Sequence, residues 1–235
     1  VDAPPDLAGI TARLETKRAR DGSFRHLRES DLEDATFAAY SAEYETSPTK
    51  IVIPTPGWPS LGRSTTDLVV EQAGGSRQPR TIAELKWIVP DGPFKIWEAV
   101  WDLFKMALQS QIHGVTDAYL ITGAPPKAWA ADPCADIFQS KTHDIVDLCT
   151  RVFPTSHTGR LVWDELLDGG YGRHPDWVPS PILTEALPQA EVARDPDDQE
   201  LRAVRVLVPE DHTLIPFPNG WPNGNRPPDA RHPAT

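Results

Sequence analysis

The chain has 235 residues, a formal net charge of −11, 39% hydrophobic residues and 24% charged residues. These values fit a globular chain with a substantial core and exclude a protein that coats DNA through bulk positive charge, since the overall field repels polyanions. Proline reaches 25 residues, above average usage, and much of the excess falls in the last third, which predicts irregular segments there.

The first twenty residues lack an apolar signal-peptide core, and no run approaches the roughly 20 apolar residues of a membrane span. The expectation is a cytoplasmic protein that does not enter a membrane. Cys134 and Cys149 are too few for a disulfide framework or a zinc site. On one continuous helix they would stand roughly 22 Å apart, too far to bridge, so reduced thiols are expected.

Residues 1–28 carry Arg13, Lys17, Arg18, Arg20, Arg25 and Arg28, which read as a solvated helical face or as a phosphate-contacting arm. Ser30-Asp31-Leu32-Glu33 fits a capping box, with Ser30 as N-cap and Glu33 reaching back. A helix is expected from about Asp31 to Glu45, ending before Ser47-Pro48. Lys50–Pro54 reads as a short buried strand, Thr66–Gln72 as a second and Thr81–Val89 as a third. A polar turn over 73–80 joins the last two.

Lys95–His113 is the best helix in the chain. Ile96, Val100, Phe104 and Ala107 recur at helical spacing, and Gly114 supplies the stop. Glu98, Asp102, Lys105 and Gln109 form a polar stripe along it, as a solvated face or as part of a site. Asp117–Thr122 is a fourth strand; the crossover helix before it predicts parallel pairing with the third. A helix is expected over 135–152. Residues 160–198 defy assignment. Leu201–Val208 alternates like a strand and pairs, on this reading, with Thr213–Phe217 as a hairpin. Residues 218–235 are Pro/Asn/Gly-rich and read as a disordered tail. His113 falls at a helix C-terminus, where capping is the expected role. His143, His157 and His174 show no metal-ligand spacing.

The chemistry concentrates on the second and third strands. Side chains alternate faces along a strand, so Glu84 and Lys86 project together from a run that is otherwise apolar. Buried charges of this kind cost several kcal/mol unless paired or bound to metal. A hairpin centred near Gly75–Arg77 pairs positions summing to roughly 151–153, which sets Asp67 opposite residues between Glu84 and Lys86. Two carboxylates and an ammonium converge, and a hard divalent cation suits the pair of acids.

TTDLVVE, a polar turn, IAELKW and a following amphipathic helix resemble the core of the PD-(D/E)XK nuclease superfamily, across about residues 30–122. Thr66 departs from the motif, standing where it has proline. The resemblance implies a restriction-endonuclease-like α/β fold: an α-β-β-β-α-β core with a mixed central sheet flanked by helices, followed by an irregular Pro-rich extension. The implied division is an N-terminal basic arm or helix over 1–28, a core over 29–152, an extension with a possible hairpin over 153–217, and the tail.

By the same resemblance Asp67 and Glu84 ligate Mg²⁺ or Mn²⁺ with the backbone carbonyl of Leu85, and Lys86 orients the attacking water. A further acid comes from the N-terminal helix, Glu33 first and Glu29 next. Gln109 or Lys105 joins from the long helix. The implied activity is metal-assisted phosphodiester hydrolysis of nucleic acid, DNA ahead of RNA. A nuclease-like protein without catalysis, binding a second copy or another protein, is the alternative. A two-carboxylate glycosidase fits less well with Lys86 beside the acid.

Overall fold

A computed structural model of the chain describes residues 4–21, 27–43, 49–52, 65–71, 79–88, 96–129, 134–152, 177–188 and 200–216. The expected turn between the second and third strands, most of the unassigned stretch and the tail over 218–235 lie outside the described residues.

The N-terminal stretch takes the helical alternative. Helix α1 (Leu7–Asp21) starts where Asp6 Oδ1 accepts from the Gly9 amide at 2.9 Å, an N-cap bond. It buries Leu7, Ile10 and Leu14. Helix α2 (Glu29–Glu43) packs beside it. Its start differs from the expectation: Arg28 is the N-cap, and the acid reaching back to the N-cap amide is Asp31, at 2.7 Å, rather than Glu33 to Ser30. Asp31 is also held by Lys17 of α1, and this second anchor fixes the helix frame two residues early.

Strands β1 (Thr49–Val52), β2 (Thr65–Glu71) and β3 (Pro79–Trp87) form an antiparallel meander. Helix α3 (Ile96–His113) then crosses over to β4 (Asp117–Ala124), which runs parallel to β3 with Glu84 opposite Leu120 and Lys86 opposite Thr122. Gly114 ends α3 at φ 59°, and the Val115 amide returns to the Ser110 carbonyl, the left-handed close that glycine permits without strain. At Gly123 a side chain would run into the Trp87 ring, which a Cβ would approach at 2.3 Å. The bare backbone there lets Trp87 seat against β4.

The C-terminal half departs from the expectations. The helix foreseen over 135–152 is broken into α5 (Cys134–Ile137), β5 (Lys141–His143) and α6 (Ile145–Val152), with the short α4 (Pro126–Trp129) before them. The estimate of a wide helical separation between Cys134 and Cys149 therefore no longer applies. Long-range bonds hold the extended segment: Thr184 Oγ1 donates to the Gln139 carbonyl at 2.7 Å, and the Ala186 amide donates to Ser140 Oγ at 3.0 Å. Asp144 then caps α6 through the Val146 and Asp147 amides.

The unassigned stretch supplies β6 (Trp177–Ser180) and β7 (Ile182–Ala186), and the foreseen hairpin does not form. Strand β8 (Glu200–Leu207) inserts between β4 and β7, whereas β9 (Thr213–Pro216) pairs with β6. The central sheet runs β1-β2-β3-β4-β8-β7-β5, and β6-β9 is a separate pair. Strand β8 is apolar on both faces, sending Leu201 and Ala203 to the α1/α2 side and Val204 and Val206 to the α3 side. Both faces need cover, which an inner position provides and a two-stranded hairpin does not.

Helices α1 and α2 thus cover one face of a mixed sheet, and α3 covers the other with α6 and β6 against it. At the end of β4 away from Lys86, buried Asp117 pairs with Arg205 of β8 at 2.8 Å. No helix among the described residues is long and apolar enough to cross a membrane.

His143 is buried and its Nε2 lies 2.8 Å from Thr184 Oγ1. Burial, followed by the charge of Lys141, pushes its pKa down from 6.5 to about 4. The ring stays neutral in the fold and takes a proton on unfolding, so its contribution is complete above 6.5 and is lost as pH falls toward 4. Denaturant melts of His143→Gln are expected to lose less stability than the parent chain between those two pH values.

Candidate functional site

Asp67, Glu84 and Lys86 come together through the register of two neighbouring strands. Leu68 pairs with Ala83 and Val69 with Ile82, so paired numbers sum to 151 and Asp67 extrapolates to Glu84. Beyond Leu68 the backbone ladder gives way: the Leu85 amide donates to Asp67 Oδ2 at 2.9 Å. Here β2 continues along β1 while a carboxylate, rather than a strand carbonyl, meets β3. An extended residue carries its N–H and C=O on the same edge, which turns the Leu85 carbonyl towards the Asp67 side.

Helix α3 supplies the roof. Asp102, Lys105 and Gln109 are buried against the sheet, so the polar stripe is not a solvated face. Lys105 Nζ sits on Glu84 Oε1, and Lys86 Nζ lies 3.4 Å from Asp102 Oδ2. Gln109 Nε2 donates to Thr66 Oγ1 at 3.1 Å. That bond ties α3 to the residue preceding Asp67, so Gln109 positions the strand. Asp102 was legible only as part of the stripe. Its spacing from Lys105 and Gln109, at i, i+3 and i+7, coincides with the core-facing side of the helix, and that overlap was the available signal.

From the other face, Glu29 of α2 reaches the cluster. Its Oε2 lies 3.9 Å from Lys86 Nζ and accepts from the Trp87 amide at 3.4 Å. Glu33, favoured from the sequence, sits half-buried one helical turn further along α2. Side-chain exposure falls from 42% at Glu29 and 22% at Lys86 to 5% at Glu84 and 6% at Lys105. Among the described residues, solvent therefore meets the cluster from the Lys86 side.

Four carboxylates, on Glu29, Asp67, Glu84 and Asp102, face two ammonium groups, on Lys86 and Lys105, among the described residues. Burial pushes the Glu84 carboxyl well above the usual range; Lys105 opposes this, while Asp102 and Asp67 add to it. Burial likewise raises Asp102, against the pull of Lys86, and raises Glu29. Buried acids in surplus take up protons or bind a cation.

The donor chemistry fits Mg²⁺ or Mn²⁺, which are held by one or two carboxylates with water and carbonyl oxygens completing the shell. Asp67, Glu84 and the Leu85 carbonyl would hold it. Among the described residues no group of three or more His, Cys, Asp or Glu side chains is arranged to take a metal ion, and Lys105 is the partner now on Glu84.

A carboxyl whose folded pKa is raised gives its full stability below the unfolded value near 4.5 and loses it as pH rises through the folded value. With divalent cations chelated, the parent chain is expected to lose stability relative to Glu84→Gln as pH is raised from 5 to 8. Urea midpoints across that range measure the difference, and parallel curves would contradict it.

No protein-family model, no curated protein and no solved structure matches the chain.

Proposed function

We propose that this cluster is a metal-dependent site for phosphodiester hydrolysis of nucleic acid, of the PD-(D/E)XK type, on a restriction-endonuclease-like core formed by α2-β1-β2-β3-α3-β4. One observation carries the reading. Asp67, Glu84 and Lys86 meet at the point where β2 parts from β3, in a cluster of four carboxylates and two ammonium groups among the described residues. The order of the elements, an antiparallel hairpin followed by a helical crossover into a parallel strand, supports it.

Asp67, Glu84 and the Leu85 carbonyl would hold Mg²⁺ or Mn²⁺. When bound, the cation would supply Lewis-acid polarisation of the phosphate and a lowered pKa for a water. Lys86, on the solvent side, orients the attacking water and offsets the negative charge that develops on the phosphate. Asp102 and Glu29 hold the Lys86 ammonium between them, and Gln109 holds Thr66 and hence the strand bearing Asp67. The substrate is nucleic acid, DNA ahead of RNA by the resemblance of the motif. With a net charge of −11, binding depends on the local field at the site rather than on the whole surface.

A second reading has a specific observation behind it. The Glu84–Lys105 contact completes an ion pair without any metal, as expected of a nuclease-like binding protein that has no catalysis.

Calorimetric titration separates the two. Mn²⁺ is expected to bind the parent chain and to lose binding in Glu84→Ala. Lys86→Ala is expected to keep Mn²⁺ binding while cleavage of labelled DNA drops by about 10²-fold or more, the scale for a positioned proton-transfer or water-orienting group. Equal Mn²⁺ binding by the parent chain and Glu84→Ala, with no cleavage by either, would reject the hydrolase reading.

A further inference from the structure

Lys105 of α3 sits directly on Oε1 of Glu84, and both partners are almost fully buried. An ammonium and a divalent cation on the same carboxylate repel each other strongly where water is excluded. We propose that Lys105 is a resident counter-ion that competes with the divalent cation for Glu84, and that it sets the cation concentration at which the site fills. The inference rests on the reading of Asp67 and Glu84 as the metal-holding pair.

The geometry gives Lys105 both an occupied position and a place to go. In the cation-free chain its charge balances Glu84, an acid that would otherwise be buried without a partner. Asp102 lies one turn back on α3, beside Glu84, and feels the Lys105 charge. It is therefore the carboxylate to which the displaced ammonium turns when Glu84 is taken up. Lys86 shares Asp102 with this exchange and also reaches Glu29, the more exposed of its two partners. The two lysines thus divide the work: Lys86 faces the solvent side and the phosphate, and Lys105 faces the metal-holding acid.

Isothermal titration of the full chain with MnCl₂ at pH 7.5 tests this in Lys105→Gln, which keeps a hydrogen-bond donor for Glu84, and in Lys105→Arg, which keeps the charge. Lys105→Gln is expected to bind Mn²⁺ at least about tenfold more tightly than the parent chain, ~1.4 kcal/mol, with Lys105→Arg unchanged or weaker. If Lys105→Gln is marginally folded without cation, the same comparison is made on the rise in melting temperature with Mn²⁺, which should exceed that of the parent chain. Binding by Lys105→Gln alone, with none by the parent chain, also supports the proposal. Equal or weaker binding in Lys105→Gln, with the parent chain binding normally, overturns the counter-ion role and leaves the metal site standing. Binding by neither overturns both.

Discussion

Charge balance beneath α3 is the constraint around which the rest of the molecule is arranged. Several carboxylates and two ammonium groups lie between a helix and a sheet, where bare charge costs several kcal/mol per ion. Each is held by a counter-charge or an amide: Glu84 by Lys105, Asp102 by Lys86, Asp67 by the Leu85 amide and Glu29 by the Trp87 amide. Such an arrangement contributes little to folding compared with an apolar core of the same volume.

The sheet makes this possible where β2 and β3 part beyond Leu68. Strands β2 and β3 zip from Leu68 and Ala83 towards their turn, but at Leu85 the backbone donor is met by a side chain. The interruption keeps Asp67 beside Glu84 and leaves the C-terminal part of β3 free to carry Lys86 towards solvent. Packing reinforces it from both faces, since Trp87 seats over Gly123 on one and the Gln109–Thr66 bond anchors α3 on the other.

Much of this was readable from local pattern. The register expected from the sequence for Asp67 and Glu84 has as its lower bound the sum seen at Leu68–Ala83 and Val69–Ile82. Gly114 marked the end of α3, and the crossover implied the parallel strand. What escaped depends on partners remote in the chain. Residues 141–143 follow a helix-compatible pattern yet are extended, held by Thr184 and Ala186 some forty residues later. Strand β8 was recognisable as a strand, but its neighbour β4 is about eighty residues earlier, and nothing local distinguishes that pairing from a hairpin with β9. Glu29 and Glu33 lie one turn apart on the same face of α2, so the local pattern could not rank them.

The insertion of β8 beside β4 bears on how far the molecule can be trimmed. All eight residues of β4 are buried, and its second edge is satisfied by a strand that comes from residues 200–207. A fragment stopped after α6 would expose a long apolar edge next to the very strand that backs Glu84 and Lys86, an invitation to intermolecular pairing. Asp67, Glu84 and Lys86 lie early in the chain, yet the sheet that carries them is completed by residues 200–207.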